Sequence, residues 1–103
     1  ATAIDKALMH DNQVLIEQFI KGTEVSCGVY FNAEQEIALP ITEIVSENKF
    51  FDYQAKYEGK SEEITPARIS SELTSTIQKT SIGCYKKMNL VGICRIDYII
   101  MED

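Results

Sequence analysis

The chain has 103 residues, a length that allows one domain at most. It carries 16 acidic and 10 basic side chains, for a net charge of −6. This net negative charge disfavours binding to nucleic acid, because contacts with phosphate groups need clustered Lys and Arg side chains. No apolar run approaches the roughly 20 residues that span a bilayer, and no signal peptide is evident. The three cysteines lack the spacing of a disulfide framework or a zinc site. We therefore expect a cytoplasmic protein that binds no membrane.

The first quarter of the chain predicts a short helix and a strand. Residues 1–10 place Ile4 and Leu8 at helical spacing with no capping residue before them, which is typical of the end of a longer amphipathic helix. Residues 13–20 form an apolar run bounded by turn residues, and a run of this kind predicts a strand.

An antiparallel hairpin is predicted next. Residues 24–32 alternate between apolar and polar positions, which indicates a strand with one face in the core. The apolar positions of this strand are Val25, Cys27, Val29 and Phe31. After a turn, residues 36–46 predict the partner strand, and the positions expected to share a face there are Ile37, Leu39 and Ile41. Pro40 indicates either an edge position or a bulge, since proline cannot donate a ladder hydrogen bond.

The second half of the chain predicts a loop, one long helix and a final strand. Residues 54–68 show neither the helix nor the strand period, and so long a loop in a small domain is often functional. Ser70 or Ser71 begins a helix that extends to about residue 88. The positions of this helix expected to face the core are Leu73, Ile77, Cys84 and Met88. Residues 92–102 predict the most apolar strand of the chain.

The final strand carries two opposite charges on one face. Arg95 and Asp97 are two residues apart in an otherwise apolar strand, where a charged pair costs desolvation energy unless something compensates. Two interpretations stay open: the side chains pair with each other or with neighbours on a solvated face, or they bind an anionic group and a metal ion. Glu17 presents a similar choice between a solvent-facing residue and a carboxylate that accepts hydrogen bonds from a ligand.

Five segments, in the same order along the chain, resemble the ATP-grasp part of D-alanine–D-alanine ligases. Their sequences are VLIEQFIKGTE, LPITEI, FFDYQAKY, EITPA and GICRID, and they begin at Val14, Leu39, Phe50, Glu63 and Gly92. The resemblance covers nearly the whole chain, so the chain is identified as a member of this family.

The resemblance implies an enzyme of peptidoglycan synthesis, and hence of cell-wall formation and cell shape. Such a ligase uses ATP to phosphorylate the carboxylate of one D-alanine, and the amine of a second D-alanine attacks the D-alanyl phosphate. It implies ATP and two Mg²⁺ or Mn²⁺ ions per full-length active site, with two D-alanine molecules as partners. A ligase that makes D-alanine–D-lactate or D-alanine–D-serine, and a non-catalytic nucleotide-binding module derived from the same fold, stay open as alternatives.

The resemblance also implies the residues of a nucleotide site. Glu17 and Ile20 would flank the adenine-binding hinge, with Gln18 and Phe19 between them offering backbone groups. Glu24 would hydrogen-bond the ribose hydroxyls. Phe50 would pack against the adenine ring.

Four further positions carry the chemistry in the family. Lys56 and Tyr57 would belong to an omega loop, in which Lys56 contacts the γ-phosphate. We expect that loop to be disordered without substrate, because it then lacks the contacts that offset the entropy of ordering. Arg95 would steady the acyl phosphate and the tetrahedral oxyanion. Asp97 would be the first of three metal ligands.

The predicted fold class is α+β, an ATP-grasp-type antiparallel sheet with one main packed helix, truncated at both ends. Residues 1–103 are expected to form a partial ATP-grasp domain: the end of the central subdomain and most of the C-terminal subdomain, without the final strand that carries the family's Asn-Glu-x-Asn segment. We therefore expect the isolated chain to be inactive. An unpaired strand edge also predicts a homo-oligomer, in which residues 92–102 or the hairpin pair with another copy.

Overall fold

The computed structural model describes residues 2–46 and 61–102, which form two helices and a five-stranded antiparallel sheet. The elements are α1 (Thr2–Leu8), β1 (Gly22–Phe31), β2 (Glu36–Ala38), β3 (Thr42–Ser46), β4 (Ser61–Ile64), α2 (Ser71–Lys87) and β5 (Cys94–Met101). The predicted α+β class is confirmed. In this described part of the chain no helix is long and apolar enough to cross a membrane.

β1 is the central strand of the sheet, because other strands are hydrogen-bonded along both of its edges. β5 follows one edge from Gly22 to Val29, while β3 and β2 share the opposite edge and β4 pairs with β3. The backbones of β1 and β5 approach so closely that a Cβ atom at Gly22 would overlap the carbonyl oxygen of Ile100. Glycine is therefore required where the β1–β5 ladder begins.

Residues 36–46 form two short strands instead of the single strand predicted. Val29 pairs with Ala38, whereas Ser26 pairs with Thr42, so three residues of this segment lie opposite two residues of β1. An extra residue on one strand is a β-bulge, and it falls at the proline, as one of the two interpretations of that residue predicted.

The bulge moves side chains between the two faces of the sheet. Ile41 is 1% exposed and packs in the core with Val25, whereas Leu39 lies against Gly28 on the opposite face. The prediction that Ile37, Leu39 and Ile41 share a face is therefore wrong, because one inserted residue reverses the alternation of every residue after it.

The core lies between α2 and one face of the sheet. Val25, Cys27 and Val29 of β1 are fully buried, as their alternation predicted, but Phe31 at the end of the strand is exposed. Ile77 is the α2 residue that joins the core cluster of Val25.

α2 begins as predicted, since Ser70 is its N-cap and accepts a hydrogen bond from the backbone nitrogen of Leu73 at 3.1 Å. Leu73 packs against the core cluster, whereas Cys84 is only half-buried. Met88 is 67% exposed, which contradicts its predicted place in the core, because it is the C-cap residue beyond the last turn. Tyr85, three residues earlier, is buried instead.

Two tyrosine hydroxyls connect α2 to the chain of β5. The hydroxyl of Tyr85 donates to the carbonyl of Gly92 at 2.7 Å, and the hydroxyls of Ser81 and Tyr98 are 2.6 Å apart. Ser81 also donates to the carbonyl of Ile77 at 2.8 Å. Burial raises the pKa of both tyrosines above the ordinary value, so both hydroxyls stay protonated at neutral pH.

Residues 13–20 do not form the predicted strand. No described strand pairs with them, and all except Val14 are exposed; Leu15, for example, is 80% exposed. An apolar run becomes a strand only where a neighbouring strand supplies a hydrogen-bonded ladder.

The predicted loop over residues 54–68 is wrong over residues 61–64, because Ser61–Ile64 is β4 and pairs with β3. Its four residues show too short an alternation to be recognised from the sequence, and the pairing partner decides their conformation. The expectation that the loop around Lys56 is disordered lies outside the described residues.

A hydrogen-bonded ion pair fastens the segment after β4 to β3. The carboxylate of Glu43, whose side chain is 10% exposed, accepts hydrogen bonds from the backbone nitrogen, Nε and Nη2 of Arg68 at 3.0, 3.1 and 2.8 Å. These bonds from Arg68 hold the pKa of Glu43 below its ordinary value. The interaction therefore stabilises the charged form of a carboxylate on the core side of the sheet.

We predict that this pair makes the fold sensitive to acid. Because the native pKa of Glu43 lies below that of the unfolded chain, its contribution is complete above the unfolded pKa of about 4.3 and is lost as the pH falls through the native pKa. Glu43→Gln should lower the free energy of unfolding by about 1 kcal/mol at pH 7. Urea unfolding of both proteins from pH 7 to pH 3 measures the difference, which should shrink as the pH falls.

The exposed turn residue Glu34 supplies the control, since Glu34→Gln removes the same charge without touching Arg68. A pH-independent difference between Glu43→Gln and the native chain would show that the ion pair contributes nothing to folding.

Candidate functional site

Three charged residues singled out in the sequence, Glu24, Arg95 and Asp97, lie on the sheet face that points away from α2. We call this surface the open face; it carries Glu24, Ser26 and Gly28 of β1 together with their cross-strand partners. Gly28 lies opposite Arg95, and Ser26 lies opposite Asp97. The alternation that buries Val25, Cys27 and Val29 on one side therefore presents these residues on the other.

Arg95 and Asp97 pair with each other. The Nε and Nη2 atoms of Arg95 donate to the two carboxylate oxygens of Asp97 at 2.9 and 3.3 Å, in a fork-like arrangement. The side chains are 54% and 47% exposed. Of the two interpretations of this pair, mutual pairing on a solvated face describes the observed contacts, and both side chains are accessible from the open face.

A cavity of about 380 Å³ lies beside this pair on the open face. Polar groups from four strands and an apolar wall line it: Ser26, Thr42, Glu63, Arg95, Leu39 and Pro40. The cavity therefore combines one cation, hydroxyl groups and an acid at its far end with an apolar surface, which suits a ligand that carries both charged and apolar parts.

The bulge supplies the apolar wall. A Cβ atom at Gly28 would lie 2.9 Å from Cδ1 of Leu39, so the glycine leaves room for the leucine side chain, which lines the cavity together with Arg95. The backbone of Leu39 is held from both sides, because its nitrogen donates to the carbonyl of Gly28 at 2.8 Å and its carbonyl accepts from Nε2 of Gln78 at 3.1 Å. The wall is thus fixed by the sheet and by α2 together.

Glu24 shares the open face with Arg95 and Asp97. It lies on β1 opposite Ile99, two cross-strand positions along from the Ser26–Asp97 pair. Its place on this face confirms the alternation predicted for β1.

The predicted hinge residues, which the structure describes, lie outside the sheet. The segment of Glu17, Gln18, Phe19 and Ile20 is exposed and irregular, and it enters β1 at Gly22, so it precedes Glu24 along the chain without belonging to the sheet. Phe50, Lys56 and Tyr57 lie outside the described residues.

Three polar residues of the cavity were not singled out as site residues from the sequence. Ser26 was placed correctly on the face of Glu24 by the alternation of β1, and that placement was the available signal. Thr42 and Glu63 carry no such signal, because the bulge decides the face of Thr42 and pairing with Ile44 decides that of Glu63.

The described residues do not form a complete metal centre. No group of three His, Cys, Asp or Glu side chains within them converges as the ligands of a cation would. Divalent cations such as Mg²⁺ need several oxygen ligands in fixed geometry. Asp97 can therefore supply one ligand of such a site, but it does not form a binding site alone.

A family model described as "D-ala D-ala ligase C-terminus" matches residues 1–103. Among curated proteins, the chain is 54% identical over 102 residues to the D-alanine--D-alanine ligase of Flavobacterium johnsoniae, a match that covers 98% of this chain and 31% of that protein. It is 50% identical over 101 residues to the D-alanine--D-alanine ligase of Porphyromonas gingivalis, with the same coverage. The chain therefore spans about a third of the length of these relatives.

Solved structures agree with the fold described above. The VanG D-Ala:D-Ser ligase from Enterococcus faecalis matches with a TM-score of 0.77 and 33% identity, over 97% of this chain and 29% of that one. The D-alanine--D-alanine ligase from Bacillus anthracis, complexed with ATP, matches with a TM-score of 0.74 and 29% identity, over 98% of this chain and 32% of that one.

We predict that the Arg95–Asp97 pair contributes little to folding. Exposed ion pairs are weak because water screens them, so Arg95→Met and Asp97→Asn should each change the free energy of unfolding by less than about 1 kcal/mol. Ile41→Ala, at a buried core position, should cost about 2–5 kcal/mol and calibrates the measurement. Urea unfolding at pH 7 compares the three variants, and a loss at Arg95 as large as that at Ile41 would mean that the pair serves the fold.

Proposed function

This chain belongs to the D-alanine–D-alanine ligase family, and from that premise we propose that it is part of a cytoplasmic enzyme that joins two D-alanines using ATP. In the proposed reaction the carboxylate of one D-alanine takes the γ-phosphoryl group of ATP and releases ADP. The amine of the second D-alanine then attacks this D-alanyl phosphate, and phosphate leaves from the tetrahedral intermediate as the amine loses its proton. The product supplies peptidoglycan synthesis. The match of the family model to residues 1–103 carries this proposal.

Arg95 is proposed to bind the acyl phosphate and the tetrahedral oxyanion. Its guanidinium group has more N–H donors than the two that the pair with Asp97 uses, and it lines the cavity of the open face. Asp97 orients the group through the fork-like contact, so the remaining donors are positioned before the negative charge develops. Positioned donors of this kind stabilise a transition state because they need no reorganisation during the reaction.

The nucleotide is proposed to reach Arg95 from the segment before β1. The irregular residues 17–20, from Glu17 to Ile20, would hold adenine through their backbone and Glu17, with Phe50 against the ring. Glu24 would accept hydrogen bonds from the ribose hydroxyls on the same face as Arg95. Lys56, beside Tyr57, would contact the γ-phosphate.

Asp97 is proposed to contribute one ligand to the Mg²⁺ or Mn²⁺ ions of this family. A bound cation would offset charge on the transferring phosphoryl group. Because the described residues supply no complete ligand set, no step of the reaction is assigned to the cation within this chain. The proposed remaining ligands belong to the longer protein of which this chain would be part.

Of the two alternative functions, one has a specific basis in the comparisons. A ligase that uses D-serine as its second substrate is compatible with the likeness to the VanG D-Ala:D-Ser ligase, although the higher identities are to D-alanine--D-alanine ligases. A non-catalytic nucleotide-binding module would keep Glu24 and the segment before it without the chemistry at Arg95.

We predict that the isolated 103-residue chain releases no phosphate. With ATP, Mg²⁺ and D-alanine, a phosphate-release assay should stay at the rate without protein, because Asp97 is insufficient as a metal site. The full-length protein that contains this chain should release phosphate and form the dipeptide under the same conditions, and Arg95→Ala in that protein should abolish most of the activity. Turnover by the isolated chain would contradict the proposal that it is a part, and inactivity of the full-length protein would contradict the proposed function.

We also propose that the isolated chain self-associates through β5. Within the described residues β5 pairs with β1 on one edge, and its other edge offers main-chain groups to a second copy. Light scattering over a concentration series should therefore show a dimer or larger species. A monomer at all concentrations would contradict the proposal.

A further inference from the structure

Arg95 and Asp97 lie between two residues that are hydrogen-bonded to α2, one just before β5 and one within it. Gly92, three residues before Arg95, accepts the hydrogen bond of Tyr85, and Tyr98 directly follows Asp97 and bonds Ser81. Ser81 and Tyr85 are four residues apart on α2, so they lie on the same face of the helix. Both are buried, with Ser81 at 0% exposure.

The direction of the second bond follows from the protons available. Ser81 has one hydroxyl proton, and it is directed at the carbonyl of Ile77, 2.8 Å away. The hydroxyl of Tyr98 must therefore be the donor to Oγ of Ser81, at 2.6 Å. Ser81 therefore donates a hydrogen bond within its own helix and also accepts one from β5.

These bonds restrain β5 in a direction that the sheet does not. The ladder with β1 fixes which residues of the two strands are opposite each other, from Gly22 and Met101 to Val29 and Cys94. The distance of β5 from α2 is set by contacts across the core, where apolar packing by Tyr98 and Ile100 is not directional. A hydrogen bond is directional, so it fixes the distance between β5 and α2. It thereby also fixes the position of the side chains on the other face of β5.

We propose that Ser81 and Tyr98 are positioning residues for Arg95 and Asp97. This inference rests on the proposed function: the two residues touch no substrate, and they act by holding the β5 backbone so that the guanidinium of Arg95 meets the reacting phosphate. A displacement of about 1 Å in a catalytic group can cost roughly 100-fold in rate, so a single bond on the far side of the strand is sufficient to matter.

The first measurement uses the 103-residue chain and needs no activity. Hydrogen exchange of the Arg95 Nε proton, followed by ¹⁵N NMR, reports how firmly that group is held against Asp97. We expect Ser81→Ala and Tyr98→Phe to accelerate this exchange several-fold. Thr80→Ala is the matched control, because Thr80 donates the same kind of bond, to the carbonyl of Thr76 at 2.8 Å, on the exposed side of the same helix.

The double variant separates positioning from stability. Ser81→Ala leaves the Tyr98 hydroxyl without its acceptor, whereas Ser81→Ala combined with Tyr98→Phe removes both polar groups and keeps the packing. The double variant should therefore recover stability relative to Ser81→Ala while the Arg95 exchange stays fast. Exchange that recovers together with stability would overturn the proposal, as would equal exchange in the Thr80→Ala and Ser81→Ala chains.

The second measurement uses the full-length ligase with ATP and D-alanine. Ser81→Ala, Tyr98→Phe and their combination should each lower kcat by roughly tenfold or more and leave the KM for ATP unchanged, whereas Thr80→Ala should change neither. An unchanged kcat in an active enzyme would overturn the positioning role. If the wild-type protein makes no dipeptide, the proposed function fails, and the exchange of the Arg95 proton still decides whether Ser81 and Tyr98 hold that group.

Discussion

The structure depends on one constraint, which is that both edges of β1 are hydrogen-bonded and its two faces have opposite environments. Because the strand alternates with a period of two, Val25, Cys27 and Val29 are committed to the core beneath α2, and Ser26 and Gly28 are committed to the open face. A shift of one residue in the register would bury the polar set and expose the apolar set. The core and the candidate site are therefore two consequences of the same pairing.

The bulge at Pro40 shows how the second strand serves both faces. Without the extra residue, the alternation that places Leu39 on the open face would place Ile41 there too, and the core would lose a buried side chain. With the extra residue, Leu39 lines the cavity of the open face and Ile41 is buried in the core. Bulges often lie beside functional sites because they redirect a side chain without ending the sheet.

Several hydrogen bonds and an ion pair support the sheet from the side opposite the open face. The Glu43–Arg68 pair and the bonds of Ser81 and Tyr85 all lie on the α2 side or at the ends of strands, while the Arg95–Asp97 pair is half exposed. The side chains that connect the helix to the sheet and fill the core therefore lie on the covered face. The charged groups of the open face are left accessible, because the sheet beneath them needs no contribution from their pairing.

The sequence by itself determined the central strand, the main helix and the last strand to within two residues, since each has a sustained period and definite end residues. It also placed Arg95, Asp97 and Glu24 on strand faces. Only the tertiary structure decided that residues 13–20 are not a strand, that Ile41 and Leu39 face opposite ways, and that Tyr98 is held by Ser81. The reason is physical: a periodic pattern is a property of one segment, whereas ladder pairing, a bulge and a bond between a helix and a strand require a second segment whose position the local sequence does not contain.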